Sequence, residues 1–444
     1  MRSPDLSPSE TRFLEAFDAL FDPCDDPFHD DGSHWLPLGM AESEGALGAA
    51  FSTERQLAEI RGHCRALAVS NEFAINGHEN RINYIVGSGH AYRAAARAGE
   101  TTDDSLVREA QAVIDRFVRE NRWHARQQEI VRRRDRDGEA FLRFFTGPAG
   151  VLRVRFVEPA QVAVPSERQA DPAAAFGIQT DPRDVETVLG YWIDGRWVEA
   201  AEIQHRKANV DANVRRGLPL FFPVRKNLQR AEKLLRNMSV VAGIQSAIAI
   251  IRKHSSGTHA TIRDGQQRQS DVRLAGGAAS FRRYDPGTIL DTSAATAYEF
   301  PAAAVDAARY VTVLQAELRA IASRLVMPEF MLTSDASNAN YASTMVAEGP
   351  AVRMFQRLQQ EMIEDDLAVM RRAVSAAVEA GGLPHEALTA VEIQAVPPTL
   401  AVRDRLKEAQ ADQILIRNGA MSVATMAMRH GLDPEREQEQ RQRC

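Results

Sequence analysis

Two pairs of closely spaced carboxylates are the side chains most suited to chemistry. Asp135 and Asp137 form one pair, and Asp365 and Asp366 form the other. Paired carboxylates can hold the divalent ions that assist phosphodiester hydrolysis, so one hypothesis is a nucleic-acid-processing enzyme such as a carboxylate-dependent nuclease. Both pairs lie in charged helical or turn sequences, and this context predicts solvated surface positions. The nuclease is therefore kept as the alternative hypothesis.

Other reactive groups match no catalytic pattern. An N-terminal cluster has a spacing unlike that of standard zinc sites; it consists of Cys24, His29, Asp30, Asp31 and His34. Cys64 falls on an apolar helical stripe and is expected in the core. The segment Gly87–Gly89 lacks the lysine and the spacing of a phosphate-binding loop. We therefore predict no enzymatic activity, no metal site and no cofactor.

A short polar segment separates two long helical patterns in the second half of the chain. Its small polar side chains are Thr333, Ser334, Asp335, Ser337, Asn338 and Asn340. Such side chains can touch phosphates without holding them tightly, as the wall of a conduit for a sliding polynucleotide requires. The alternative interpretation is an ordinary helix–helix connection.

The charge of the chain is small overall and unevenly distributed. The net charge is −6, and residues 1–31 carry nine acidic and two basic side chains, whereas residues 205–236 are strongly basic. A domain that grips DNA would be basic overall, because phosphate neutralisation supplies most nonspecific affinity. We predict a positive belt of Lys226, Arg230 and Lys233 on a helix. A solvated helix face or a set of subunit contacts would explain the same charges.

Composition excludes some classes of protein. The 444 residues are 44% hydrophobic and 26% charged, which suggests about two to four domains. The sequence contains no uninterrupted apolar run of the ~20 residues that span a bilayer, so we expect no membrane association. The three cysteines are scattered, which supports neither a disulfide framework nor a zinc ribbon.

The first half of the chain predicts helices followed by strands. A capping box at Thr53 and Gln56 starts a helix whose apolar residues include Leu57 and Leu67, and another helix is expected over 103–121. Residues 140–205 alternate in hydrophobicity, with a hairpin turn at Asp194-Gly195. Within this β-rich module, residues 165–182 are expected to form a surface loop.

The second half predicts long helices around a small excursion. A helix of about thirty-five residues after position 219 leads into a polar excursion with short strands at about 255–292. A second helix then carries an apolar stripe of Val311, Leu314, Leu318, Ile321 and Leu325, which we expect to pack between subunits. This helix should end at Met327-Pro328, and the next should bend at Gly349-Pro350. The C-terminal section predicts a small helical cap.

Several short segments, taken in order, resemble the lambda-type family of tailed-phage portal proteins. They are residues 71–89, Arg215–Pro219 with the helix after it, Ile321–Leu325 with Pro328, Asn338–Ser343, and 418–422 with 431–434. Each segment is weak by itself, but together they follow the family's order over nearly the whole chain. The acidic first fifty residues and the segment 165–182 depart from the family's pattern.

The resemblance implies an α+β, mainly helical subunit of a ring with wing, stem, clip and crown regions. The implied regions are a wing at 1–218, stem helices at 219–253 and 302–327, a clip at 254–301, a tunnel loop and long kinked helix at 328–380, and a crown at 381–444. The ring would be a dodecameric homo-oligomer with double-stranded DNA in its channel. Implied partners are the terminase large subunit, the major capsid protein and a head–tail adaptor, at a virion vertex assembled in the host cytoplasm.

Overall fold

The fold is mainly helical with small sheets, as predicted. The computed structural model describes residues 51, 53–97, 103–254, 288–293, 307–335, 341–400, 405–430, 432 and 434–443. These residues divide into two compact units: unit 1 comprises the described parts of 1–226 and 321–444, and unit 2 comprises those of 227–320. The acidic N-terminal segment lies outside the described residues.

The elements alternate between long helices and short strands. The helices are α1 Glu54–Ser70, α2 Glu72–Ile85, α3 Asp104–Asn121, α4 Trp123–Asp137, α5 Arg225–Ala247, α6 Ala307–Leu325, α7 Glu329–Thr333, α8 Tyr341–Glu379, α9 Ala387–Ala390, α10 Arg405–Arg417, α11 Val423–Arg429 and α12 Pro434–Arg443. The strands are β1 Ala91–Ala96, β2 Glu139–Thr146, β3 Leu152–Val157, β4 Ile178–Asp181, β5 Asp184–Ile193, β6 Arg196–Glu199, β7 Ile203–Lys207, β8 Ile248–His254, β9 Thr288–Ser293 and β10 Val391–Val396.

The start of α1 confirms the predicted capping box. The Thr53 hydroxyl accepts from the backbone N–H of Gln56, and the Gln56 side chain accepts from the N–H of Thr53. Cys64 is fully buried on the apolar face of this helix. Burial raises the pKa of its thiol to about 12, so Cys64 is a core residue and a poor nucleophile.

The β-rich module forms two three-stranded antiparallel sheets, β3-β2-β7 and β4-β5-β6. The predicted hairpin is confirmed: Asp194 and Gly195 both have positive φ, and Trp192 pairs with Trp197 across the turn. The prediction of a surface loop over 165–182 is wrong in part. Residues 178–181 form β4, which pairs with β5, and the side chain of Ile178 is buried in the module's hydrophobic core with Phe141 and Tyr191.

The pairing of β1 with β10 was missed. The two strands are antiparallel, with Ala91 opposite Val396, although nearly three hundred residues separate them. β1 is rich in alanine and gives no clear alternation, and no strand was predicted at 391–396. The helices predicted after Pro398 are confirmed as α10 and α11, and β10 precedes them.

Helix α5 is shorter than predicted. It ends at Ala247, and residues 248–254 form β8, which pairs in parallel with β9. The run Ile248–Ile251 contains three isoleucines, whose β-branched side chains favour a strand over a helix. The excursion predicted around the clip thus begins with a strand inside the range assigned to the first stem helix.

A buried ion-pair cluster holds the β-rich module to the helices of unit 1. Glu139, which is fully buried, accepts from the guanidinium groups of Arg61 and Arg216 and lies 2.9 Å from Nε2 of His205. Burial raises the pKa of the Glu139 carboxyl, but the charges of Arg216 and Arg61 outweigh burial and hold the pKa well below its usual range. Glu139 is therefore ionised in the folded protein.

Replacing Glu139 with glutamine should lower the free energy of unfolding by about 3 kcal/mol, because two buried guanidinium groups lose their counter-charge. Thermal and urea unfolding of Glu139→Gln would measure this loss, with Glu199→Gln, at an exposed position on β6, as the matched control. Because the folded pKa lies below the unfolded pKa, the contribution of Glu139 is complete above the unfolded pKa. It is lost as the pH falls through the folded pKa. Equal stabilities of the two variants at neutral pH would contradict this assignment.

Candidate functional site

The polar segment follows a sharp break between α6 and α7. Val326 has a φ of 53°, and the N–H of Met327 donates to the carbonyl of Ala322 at 3.1 Å, which closes the C-terminus of α6. Pro328 then precedes the first turn of α7. The predicted end of the helix at Met327-Pro328 is confirmed, since proline favours an extended conformation in the residue before it and cannot donate to a helix.

Two asparagines of α2 hold the end of α7. The Nδ2 group of Asn76 donates to the carbonyls of Met331 and Leu332 at 3.1 and 2.6 Å, and Nδ2 of Asn80 donates to Met331 at 2.8 Å. The last carbonyls of a helix have no partner inside it, so these side chains satisfy acceptors that would otherwise need water. The sequence analysis missed this role, although the four-residue spacing of Asn76 and Asn80 places both on one face of a helix.

The structure describes the first three of the six predicted loop residues. Thr333 is half-buried, whereas Ser334 and Asp335 are exposed, and Ser334 has a left-handed φ of 58°. The N–H of Asp335 donates to the Thr333 hydroxyl at 3.3 Å. Ser337, Asn338 and Asn340 lie outside the described residues.

Helix α8 is anchored on the other side of the polar segment. Phe355 stacks on Tyr84 of α2 with ring centroids 4.9 Å apart. The side-chain amide of Gln359 donates to the carbonyls of Tyr84 and Pro398, each at 3.1 Å. Pro350 lies inside α8 and removes one hydrogen bond of its first half, and the expected bend there remains a prediction.

Most of the predicted apolar stripe of α6 is buried within the chain itself. Leu314, Leu318, Ile321 and Leu325 are at most 8% exposed, whereas Val311 is 40% exposed. The role of the stripe in subunit packing remains a prediction. Of its five residues, Val311 alone is exposed enough to contact another subunit.

The three residues of the predicted positive belt share one side of α5. Lys226, Arg230 and Lys233 are separated by four and three positions, which is one face of a helix, and all three are partly exposed. Arg230 lies 3.8 Å from Glu317, which also accepts from the side chain of Asn227 at 2.7 Å. Part of the positive charge of the belt is therefore balanced within unit 2.

The expectation that the carboxylate pairs are solvated is wrong for Asp135 and Asp137. Both are buried: Arg81 donates to both oxygens of Asp135, and Arg65 donates to Asp137. Burial raises the pKa of Asp135, but Arg81 and the imidazole of His78 outweigh it and bring the pKa to about 2. The partners are Arg65 of α1 and Arg81 of α2. They are distant in the sequence from α4, so the residues around Asp135 and Asp137 could not predict this pairing.

The same expectation is wrong for Asp366 of the second pair. Asp366 is fully buried and accepts from Arg206, Tyr92 and Gln127 at 2.6–2.8 Å, whereas Asp365 is partly exposed. Burial raises the pKa of Asp365. Among the described residues, no group of three or more His, Cys, Asp or Glu side chains is arranged to hold a metal ion. The cluster from Cys24 to His34 lies outside them.

Solved structures of gene transfer agent particles and of a phage portal protein resemble the chain distantly. The neck of a native gene transfer agent particle computed with C12 symmetry is 15% identical, with a TM-score of 0.39, covering 86% of this chain and 95% of that chain. The neck of an empty particle computed with C6 symmetry is 15% identical, with a TM-score of 0.41 and coverages of 84% and 94%. An HK97-family phage portal protein from Corynebacterium diphtheriae is 12% identical, with a TM-score of 0.33 and coverages of 79% and 97%.

The match to a protein family is more extensive. None of the curated proteins matches the chain, and no helix of the described part is long and apolar enough to cross a bilayer. The family described as phage portal protein, lambda family, matches residues 43–359, which is more than two-thirds of the sequence. This match confirms the resemblance drawn from the sequence: the chain belongs to the lambda family of phage portal proteins.

Proposed function

We propose that this chain is a structural portal subunit, a head–tail connector that forms a dodecameric ring at one vertex of a capsid. Double-stranded DNA passes through the ring during genome packaging and ejection, and the subunit itself is not an enzyme. Membership of the portal family is the observation that carries the proposal. The nuclease alternative gains no support from Asp135, Asp137 or Asp366, since each is buried against arginine and other donors of the chain.

In this proposal, the polar segment 328–341 is the tunnel loop that faces DNA. Its support is geometric: Asn76 and Asn80 hold the carbonyl end of α7, within the first half of this segment, and Phe355 packs α8 against α2 after it. Between these anchors, Ser334 and Asp335 are exposed. Because the segments on both sides are anchored, the polar residues between them can contact a moving duplex without displacing the flanking helices.

The remaining regions follow the family's arrangement, with two adjustments from the structure. The first stem helix is α5, which ends at Ala247, and the second is α6. Because β10 pairs with β1, a crown at 381–444 would share a sheet with the wing. The ring docks the terminase large subunit, the major capsid protein and a head–tail adaptor at the virion vertex.

Deleting Asn338–Asn340 should leave ring assembly intact and reduce the yield of DNA-filled particles, because the loop then no longer reaches the duplex. Negative-stain images of the purified ring and nuclease-protected DNA per particle measure the two effects. The length-matched control replaces Asn338 and Asn340 with alanine. Wild-type DNA content in particles built from the deletion variant would refute a channel role for this loop.

Val311→Asp should prevent ring formation while the subunit stays folded, because Val311 is exposed in the single chain and a charge there would be buried between subunits. Leu314→Asp should instead disrupt folding, since Leu314 is buried within the chain. Ala316→Asp places the same charge at an exposed position on another side of α6 and is the control. Mass photometry with circular dichroism would separate these results, and intact rings of Val311→Asp would place Val311 outside the subunit contact.

A further inference from the structure

A cationic cavity lies in unit 1, away from the residues assigned to the tunnel loop. It has a volume of about 400 Å³ and is bounded by α2, α4, the segment after β7 and the middle of α8. Its charged lining residues are Arg81, Arg134, Lys207 and Arg357 on the positive side, and Asp135 and Glu361 on the negative side. The lining thus carries a surplus of two positive charges.

Two guanidinium nitrogens of this lining have no acceptor among the residues that the structure describes. Arg81 is 5% exposed, and its Nε and Nη2 atoms donate to Asp135 at 3.0 and 3.2 Å. Its Nη1 atom is buried and has no hydrogen-bond partner within the described part of the chain, and the same holds for Nε of Arg134. Leaving a buried N–H of a charged group without an acceptor is costly, so an acceptor bound in the cavity would stabilise these groups.

The carboxylates of the cavity are already engaged. Asp135 accepts from Arg81, and Glu361 accepts from Nη2 of Arg134. Arg357 is exposed, and its guanidinium contacts the sulfur of Met354 at 3.1 Å, which is a weak acceptor. An oxyanion would supply both strong hydrogen-bond acceptors and the negative charge that balances the surplus. Water would supply acceptors but no charge.

We propose that this cavity binds a small tetrahedral oxyanion of the phosphate class. Arginine suits such a ligand because its planar N–H groups match the spacing of phosphate oxygens. The cavity is many times larger than the ~30 Å³ that one water occupies in the liquid, so it has room for the anion and its remaining hydration. The phosphate belongs either to a free inorganic ion or to the backbone of DNA. The site does not depend on the proposed channel.

Isothermal titration of the purified full-length protein with sodium phosphate, at an ionic strength held constant with sodium chloride, tests the site. Arg357→Gln removes one exposed cation, and Arg81→Lys keeps the charge beside Asp135 but removes the planar N–H groups. Each should weaken phosphate binding by about tenfold, the effect of losing one charge-assisted hydrogen bond. Arg353→Gln, which removes an exposed charge of α8 outside the cavity lining, should bind as the wild type does.

The outcomes separate clearly. Phosphate binding weakened by both cavity variants and not by Arg353→Gln supports the site, and displacement of phosphate by a short DNA duplex then identifies the backbone as the source. Absence of displacement identifies the free ion. Absence of phosphate binding by the wild type, or equal binding by all four proteins, overturns the proposal. Neither result bears on ring formation, so failure here is distinct from failure of the portal assignment.

Discussion

The buried pair of Glu139 and Arg216 ties together the β-rich module of unit 1. A guanidinium has five N–H donors, and burying it is favourable only when they are satisfied. Arg216 donates to Glu139 and to the carbonyls of Pro159, Val162 and Phe176 at 2.7–2.9 Å. One side chain thereby joins the first strand of the β-rich module to two of its connecting turns.

Gly217, the residue after Arg216, lies where two stretches of backbone come so close that no side chain fits between them. A Cβ at Gly217 would lie 1.9 Å from the carbonyl oxygen of Gly138, and Gly138 itself has a φ of 84°. The two backbones approach so closely that Gly217 N–H donates to Glu139 at 3.0 Å. A side chain at Gly217 would separate these backbones and remove one hydrogen bond to the Glu139 carboxylate.

Helix α8, which follows the polar segment, is held in the same way, by a buried charge that is paired with donors from other elements. Asp366 of α8 accepts from Arg206 of β7 and from Tyr92 of β1, so one carboxylate connects three elements of unit 1. Local sequence could not reveal this, because Arg206 precedes Asp366 by 160 positions. Capping at Thr53 and the turn at Asp194-Gly195 were predictable, since their partners lie within a few residues. Strand β1 and the ion pairs were not, since their partners are distant in the chain.

These buried pairs also change how the basic stretch 205–236 should be interpreted. Arg206 and Arg216 belong to the interior, where carboxylates neutralise them, so they add little to the field outside the protein. Most of the other basic residues of this stretch lie on α5, where Nη1 of Arg230 is 3.8 Å from a carboxylate oxygen of Glu317. Nonspecific affinity for DNA rises with each phosphate that is neutralised and each counterion released. Because Arg206 and Arg216 are buried and paired, they cannot add to such an affinity, and the composition of 205–236 overstates the positive charge at the surface.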